Sequence, residues 1–254
     1  MTDIGLIGII AFLSAIISGM LGLGGAVLLI PAYLYVPPFF GFSSLDVKSI
    51  SGMTTVQVLA SSLLGMLTHR ARGSVNRNLV LTMGIPVALA SFAGAMLSGV
   101  IEPNIILGTF ALMALTGALL MLVKKESDQT GPLEFNRAGA IAAAAGIGFF
   151  GGIAGAPGAF ILSPVMMTVL RIPTRITIGS TLGIVVLSAA SGTIGKIATG
   201  LVPPMPTAVA VLSSLPGVYL GSLLSHRIPT RTLRWALAMF IGAVGLHISF
   251  KVLF

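Results

Sequence analysis

The chain has 254 residues, of which 56% are hydrophobic and only 8% charged, and its mean hydropathy is +1.06. This composition excludes an ordinary soluble globular domain and indicates a multi-pass membrane protein. The formal net charge of +8 is interpreted as loop charge that orients helices in a bilayer. The absence of cysteine excludes disulfides and thiolate metal sites.

The apolar segments are of two kinds. Two runs, 4–36 and 138–170, have Gly-rich centres and no charge, and as continuous helices each would measure roughly 50 Å, against a hydrocarbon core of about 30 Å. Because this is too long for one crossing and too short for two, each is predicted to be two half-helices that meet at a break. Six other runs have about the length of one spanning helix: 50–68, 79–101, 105–123, 176–195, 205–225 and 237–250.

The second over-long run repeats the first. Gly19 recurs as Gly152, and six positions of the first run, from Gly19 to Pro31, recur in the second run at the same shift along the chain. A second set of matches, at a different shift, begins with Gly52, which recurs as Gly179. Because order and spacing both persist, the sequence predicts two related membrane repeats. Their predicted bounds are 1–123 and 138–254, with a cytoplasmic linker at 124–137.

Loop charges predict how these repeats are oriented. Arginine and lysine cluster at 70–77, 124–137, 171–175 and 227–234, and all four clusters reach the cytoplasm only if the fifth element is re-entrant. The predicted fold is therefore an all-α polytopic membrane protein with two inverted-topology repeats. Each repeat has one broken, re-entrant Gly-rich element and three transmembrane helices, an arrangement typical of transporters.

The glycine-rich breaks are candidate anion sites. A half-helix is predicted to begin at Ala26 and at Ala159, where free N–H groups and the positive end of the helix dipole favour an anion. The alternative is that the glycines only allow close helix packing. Two symmetric, over-long runs favour the binding interpretation, with the site near the membrane midplane between the repeats.

The paired motifs resemble those of a known family. "GMLGLGGAVLLIP" and "GIAGAPGAFILSP", followed by "SGMTT" and "IGSTL" and by "GMLTHRARG" and "GTIGKIATG", are similar to the TauE/SafE sulfite exporter family, also called the four-toluene-sulfonate uptake permease family. The resemblance covers nearly the whole chain. It implies a multi-pass permease of a bacterial or archaeal inner membrane for sulfite, organosulfonates or related anions. Pro157 departs from the glycine that symmetry with Gly24 predicts, which stiffens the second break.

The predicted substrate-binding residues are glycines of the breaks, small hydroxyl side chains at the starts of the following helices, and one lysine. Ser and Thr hydroxyls could complete a shell around an oxyanion, although they are also ordinary contacts between membrane helices. Lys196 is the best single charge for attracting an anion, with termination of its helix and snorkelling to the interface as the alternative. Gln57 has no polar counterpart and ranks lower. The full set is Gly22, Gly24, Gly25, Ser51, Gly52, Thr54, Gly155, Pro157, Gly158, Gly179, Ser180, Thr181 and Lys196.

These features favour a secondary transporter for a small anion, with an anion channel, or a permease for another anion or a carboxylate, as alternatives. An enzyme is not expected, because no HExxH, no GxSxG and no pair of acids occurs within the predicted spans. No cofactor or metal is predicted. The expected partners are the anionic substrate and membrane lipid, without nucleic acid, and a homodimer is compatible with the pattern.

The predicted topology is testable by cysteine labelling. Single cysteines at positions 72 and 201 of this cysteine-free chain should react with a membrane-impermeant reagent from opposite sides, position 201 from outside intact cells. Labelling of both positions from the same side would contradict the inverted-repeat model.

Overall fold

The computed structural model describes residues 4–21, 26–43, 45–70, 76–122 and 135–224, together with 239, 242–243 and 245–249. Its regular elements are helices, and none of the residues in these ranges forms a strand. In chain order they are α1 (Ile4–Leu21), α2 (Ala26–Phe39), α3 (Val47–Arg70), α4 (Arg77–Leu97), α5 (Pro103–Leu122), α6 (Arg137–Ala154), α7 (Ala159–Thr168), α8 (Thr174–Ala198) and α9 (Pro204–Leu224).

Six of these helices have segments that are long and apolar enough to cross a membrane. They are Val47–Leu67, Arg77–Leu97, Pro103–Met121, Arg137–Ala154, Gly179–Ala198 and Pro204–Leu224. Large apolar side chains on the outer surface, such as Leu89, Leu112 and Leu212, are more than 60% exposed, as expected where lipid replaces water. The protein is therefore a multi-pass, all-helical membrane protein.

The structure interrupts the second over-long run near its centre, and the helices that follow the two Gly-rich segments begin at the predicted residues, Ala26 and Ala159. The second run forms α6, with 18 residues, and α7, with only 10. Since α6 alone measures about 27 Å, it is a full-length span and not the predicted half-helix. The break follows Ala154 because Gly155, in the left-handed conformation, ends α6. In the first run, α1 ends at Leu21 and α2 begins at Ala26, and residues 22–25 lie outside the described ranges.

Contacts between helices fix their relative directions. On the α4–α6 interface, Gly148 lies against Val87 and Gly152 against Ser91, so the two helices run parallel. On the α1–α9 interface, Gly217 lies against Phe12 and Gly221 against Ile16, which makes these helices parallel as well. In both pairs, glycine lets one backbone approach another closely.

Helix α8 is central and has neighbours running in both directions. It is parallel to α4, because Ser180 contacts Asn76 and Ser191 contacts Ala88. It is antiparallel to α3, whose Ser51 contacts Lys196 near the opposite end of α8. The starts of α4, α6 and α8 therefore share one end of the molecule, and their last turns share the other.

This arrangement agrees with part of the charge-based topology. Arg77 and Arg137, the first residues of α4 and α6, lie at one end, while Leu201, which follows α8, lies at the other. The linker 124–137 falls mostly outside the described residues. Which end faces the cytoplasm stays a prediction.

The close α4–α6 contact predicts opposite effects for two Gly-to-Ala substitutions in the same helix. A Cβ at Gly152 would overlap the Ser91 carbonyl and lie 3.0 Å from the Ala95 nitrogen, whereas a Cβ at Gly146 has no heavy atom within 4 Å. Both changes raise helix propensity by about 1 kcal/mol, but only Gly152→Ala forces the helices apart, at a cost of roughly 1–3 kcal/mol. Gly152→Ala should lower the thermal unfolding midpoint in detergent, and Gly146→Ala should keep or raise it. Equal midpoints would show that the interface is loosely packed.

Candidate functional site

The second helix break is a tight turn built on two left-handed glycines. Gly155 caps α6 with φ +74°, and Gly158 precedes α7 with φ +71°. The Ala156 N–H donates to the Gly151 carbonyl at 3.0 Å, the Gly158 N–H donates to the Ala156 carbonyl, and Pro157 lies buried between them. The first turn of α7, with the positive end of its helix dipole, starts directly at this turn.

Packing requires glycine at both positions, in addition to the backbone conformation. A Cβ at Gly155 would overlap the backbone of Ser51 in α3, and one at Gly158 would lie 2.5 Å from Cγ2 of Ile147 in α6. A larger residue at Gly158 would therefore distort the turn as well as fill space beside it.

Helix α3 satisfies carbonyls that the break leaves free. The Thr54 hydroxyl donates to the Gly155 carbonyl at 2.9 Å, and the Ser51 hydroxyl lies 3.4 Å from the Ile153 carbonyl. Both hydroxyl residues are buried, with at most 1% exposed. Since exposed backbone groups are not tolerated at membrane depth, these hydrogen bonds make the broken segment compatible with a bilayer.

Lys196 is the fully buried charge next to this break. Its side chain is 0% exposed, and its Nζ donates to Ser98 Oγ at 2.7 Å, to the Ile153 carbonyl at 3.2 Å and to Ser51 Oγ. Across the described ranges, it forms no ion pair with a carboxylate. The predicted alternative of snorkelling does not hold, because the ammonium points into the protein.

Helix dipoles explain how an ammonium without a counter-ion is held there. Ser98 caps the C-terminus of α4, Ile153 lies in the last turn of α6, and Lys196 itself lies in the last turn of α8. The negative ends of three helix dipoles thus converge on one cation. They stabilise the charge without cancelling it as a carboxylate would.

The other predicted residues lie elsewhere or have packing contacts. Gly52 lies against the Leu201 carbonyl, and Gly179 is buried within α8. Ser180 Oγ accepts the Asn76 N–H at 3.0 Å at the start of α4. The Ser163 hydroxyl of α7 donates to Thr181 Oγ1 at 3.3 Å. Thr181 precedes Lys196 by fifteen residues, which is about 22 Å along α8.

The structure therefore brings one subset of the predicted residues together: Ser51, Thr54, Gly155, Pro157, Gly158 and Lys196. Ser180 and Thr181 belong to the opposite half of α8. The predicted residues Gly22, Gly24 and Gly25 of the first break lie outside the described residues.

Two polar groups near this site were not in the predicted set. Ser98 binds Lys196, and no sequence signal distinguishes it from other helix-end serines. Gln57 Oε1 accepts a hydrogen bond from the Tyr33 hydroxyl at 3.0 Å, while Gln57 Nε2 is buried and has no partner among the residues that the structure describes. Leaving such a buried donor unsatisfied costs about 1–3 kcal/mol. The signal available in the sequence was that Gln57 has no polar counterpart in the second repeat.

A small cavity adjoins the site on its apolar side. Its volume is about 10 Å³, which is enough for one water molecule at most. Ser51 is the polar residue among its walls, beside Ile50 of α3, Ile30 of α2 and Phe110 of α5. An anion could enter only after the helices move. No group of three His, Asp or Glu side chains within the described ranges could hold a metal ion.

Comparison with known proteins identifies the family. The model of the sulfite exporter TauE/SafE family matches residues 7–248. The chain is 26% identical to the probable membrane transporter protein YdhB of Bacillus subtilis, over 96% of this chain and 100% of that protein. It is 23% identical to a probable membrane transporter protein of Methanocaldococcus jannaschii, over 94% and 92% of the two chains.

A probable membrane transporter protein of Xylella fastidiosa is 26% identical, over 92% of this chain and 90% of the relative. No solved structure matches the chain. Since a family model spans nearly all of the sequence and its relatives are transporters of similar length, this chain belongs to the sulfite exporter TauE/SafE family of membrane transporters.

Proposed function

We propose that this transporter is a secondary permease for a small sulfur-containing anion, such as sulfite or an organosulfonate. The observation that carries the proposal is the buried Lys196 ammonium, which lies beside the α6–α7 break without a carboxylate partner among the described residues. The family is named for sulfite export, whereas the names of the relatives give no substrate.

Helix packing supports a transport mechanism based on two inverted repeats. The α1–α9 pair corresponds to the α6–α4 pair when the two repeats are exchanged: Gly19 lies against Val218 in one, and Gly152 against Ser91 in the other. The corresponding helices α3 and α8 run antiparallel, as inversion about an axis in the membrane plane requires. Rocking of the α1–α9 pair against the α4–α6 pair, each of which contains one helix from each repeat, would then open the site alternately to each side.

The chemistry of the site fits an oxyanion. Ser51 and Thr54 present hydroxyl groups, α7 presents the positive end of its dipole, and Lys196 supplies a full charge. In the observed arrangement, the hydroxyls and the ammonium bind carbonyls of the break. Entry of an anion would replace some of these acceptors with its own oxygens, so substrate binding and movement of the break are coupled in the proposed mechanism.

The positions of the carboxylates bear on the driving force for transport. The described carboxylates, Asp46 and Glu102, lie at or outside helix ends, so they do not form a proton relay inside the described spans. We propose that the driving force is either the membrane potential or a proton carried by the substrate itself, as in bisulfite.

A substrate panel tests the proposal. Purified protein in liposomes should show saturable uptake of at least one of sulfite, sulfate, thiosulfate, taurine and sulfoacetate under imposed pH or voltage gradients. Transport only of carboxylates or halides would overturn the substrate class. Single-channel conductance without saturation would support an anion channel instead.

Replacing the lysine separates an electrostatic role from a packing role. Lys196→Gln removes one charge and should raise KM about fivefold, because an unscreened unit charge contributes on the order of 1 kcal/mol to anion binding. The measurement is the concentration dependence of the anion flux in liposomes.

Ser98→Ala is the matched control. It removes one acceptor of the ammonium but keeps the charge, so it should lower thermal stability and leave KM near the wild-type value. A Lys196→Gln variant that is less stable but has wild-type KM would show that Lys196 only connects α4, α6 and α8.

A further inference from the structure

The side chain of Gln57 is a buried polar group that the proposed site does not yet use. Gln57 lies ten residues from the start of α3, about 15 Å along the axis and therefore near mid-depth of a bilayer core of about 30 Å. Its side chain is 0% exposed. An amide at this depth must find its partners inside the protein.

Tyr33 of α2 satisfies only the oxygen of this amide. The Tyr33 hydroxyl donates to Gln57 Oε1 at 3.0 Å, which orients the carboxamide so that its NH₂ group points away from the tyrosine. That NH₂ group has no acceptor in the described part of the chain. Buried side-chain donors in native proteins nearly always have a partner, so the unpaired NH₂ group indicates a ligand or an ordered water.

The second repeat shows that packing does not require these polar residues. At the positions that correspond by sequence, Gln57 is matched by Ile184 of α8, and Tyr33 by Met166 of α7. Both counterparts are 0% exposed. Because an apolar pair fills the equivalent place in one repeat, the polar pair in the other repeat has a different role.

Gln57 also lies on the face of α3 that meets the second break. Thr54, three residues earlier and thus about one helical turn away, donates to the Gly155 carbonyl. The Gln57 amide therefore lies about one turn deeper in the membrane than the contacts at the break.

We infer that the Gln57 carboxamide is a substrate-binding group, whose Nε2 donates to an oxygen of the transported oxyanion while Tyr33 holds the amide in this orientation. The inference rests on the proposed function for its ligand class. It adds to the proposed anion site an uncharged hydrogen-bond donor that only one repeat contributes and that lies near the middle of the bilayer. The two repeats then contribute different groups to the anion, so its site is asymmetric.

The test compares Gln57→Met with wild type in liposomes, with sulfite as the first probe and the other sulfur anions of the panel after it. Loss of a hydrogen bond to a charged ligand should raise KM about tenfold, with little change in the maximal flux. Tyr33→Phe keeps the amide but removes the hydrogen bond that orients it, so this variant should raise KM by a smaller factor.

Ile184→Met is the matched control, because it introduces the same methionine side chain at the corresponding buried position of the other repeat. It should leave KM unchanged. Gln57→Leu provides a second variant if Gln57→Met is poorly folded: without a side-chain donor at this position, it should weaken protection of the protein by sulfite against thermal unfolding.

The outcomes distinguish this inference from the proposed function. Wild-type KM in Gln57→Met, or wild-type protection by sulfite in Gln57→Leu, would show that the amide binds only water and would leave the proposed function intact. Transport of a non-sulfur oxyanion with a KM that depends on Gln57 would overturn the substrate class and support the inference. A wild-type protein that neither transports nor is stabilised by any tested oxyanion would overturn both.

Discussion

Satisfying the backbone of a broken helix inside a bilayer is the constraint on which the rest of this structure depends. Between α6 and α7 the chain leaves helical geometry, and the carbonyls of Ile153 and Gly155 need donors that lipid cannot supply. Thr54 of α3 and Lys196 of α8 provide them. These hydrogen bonds bring α3, α6 and α8 together at one end and place a positive charge beside the start of α7.

The same interactions connect fold and function. An ammonium stabilised by the C-termini of three helices keeps much of its attraction for an anion, whereas a carboxylate partner would neutralise it. Close packing of Gly148 and Gly152 on α4 positions α6 so that its last turn reaches Lys196. In the proposed mechanism, an anion competes with the carbonyls of the break for these donors, and the packed glycine interfaces move as rigid units.

In the proposed two-repeat arrangement, symmetry accounts for the helix packing but not for the specificity of the site. Glycine contacts such as Gly94 on Phe149 and Gly221 on Ile16 occur at corresponding places in the two halves. Two polar residues differ between the halves: Lys196 corresponds to His69, whose side chain is outside the described set, and Gln57 corresponds to the apolar Ile184. In the proposed mechanism, the asymmetric residues give the transporter its preference for one anion.

The sequence by itself determined the class of protein, most of the spans, the presence of two interruptions and the family, because these depend on hydropathy, glycine spacing and motif order along the chain. It also identified Ser51, Thr54, Gly155 and Lys196 as residues of interest. Only the tertiary structure decided that α6 is a full-length helix, that Lys196 points inward, and that Ser98 and Ile153 bind it. It also separated Thr181 from this group and left the NH₂ group of Gln57 without an acceptor among the described residues. Local patterns cannot predict these contacts, because each depends on which helix ends meet in space.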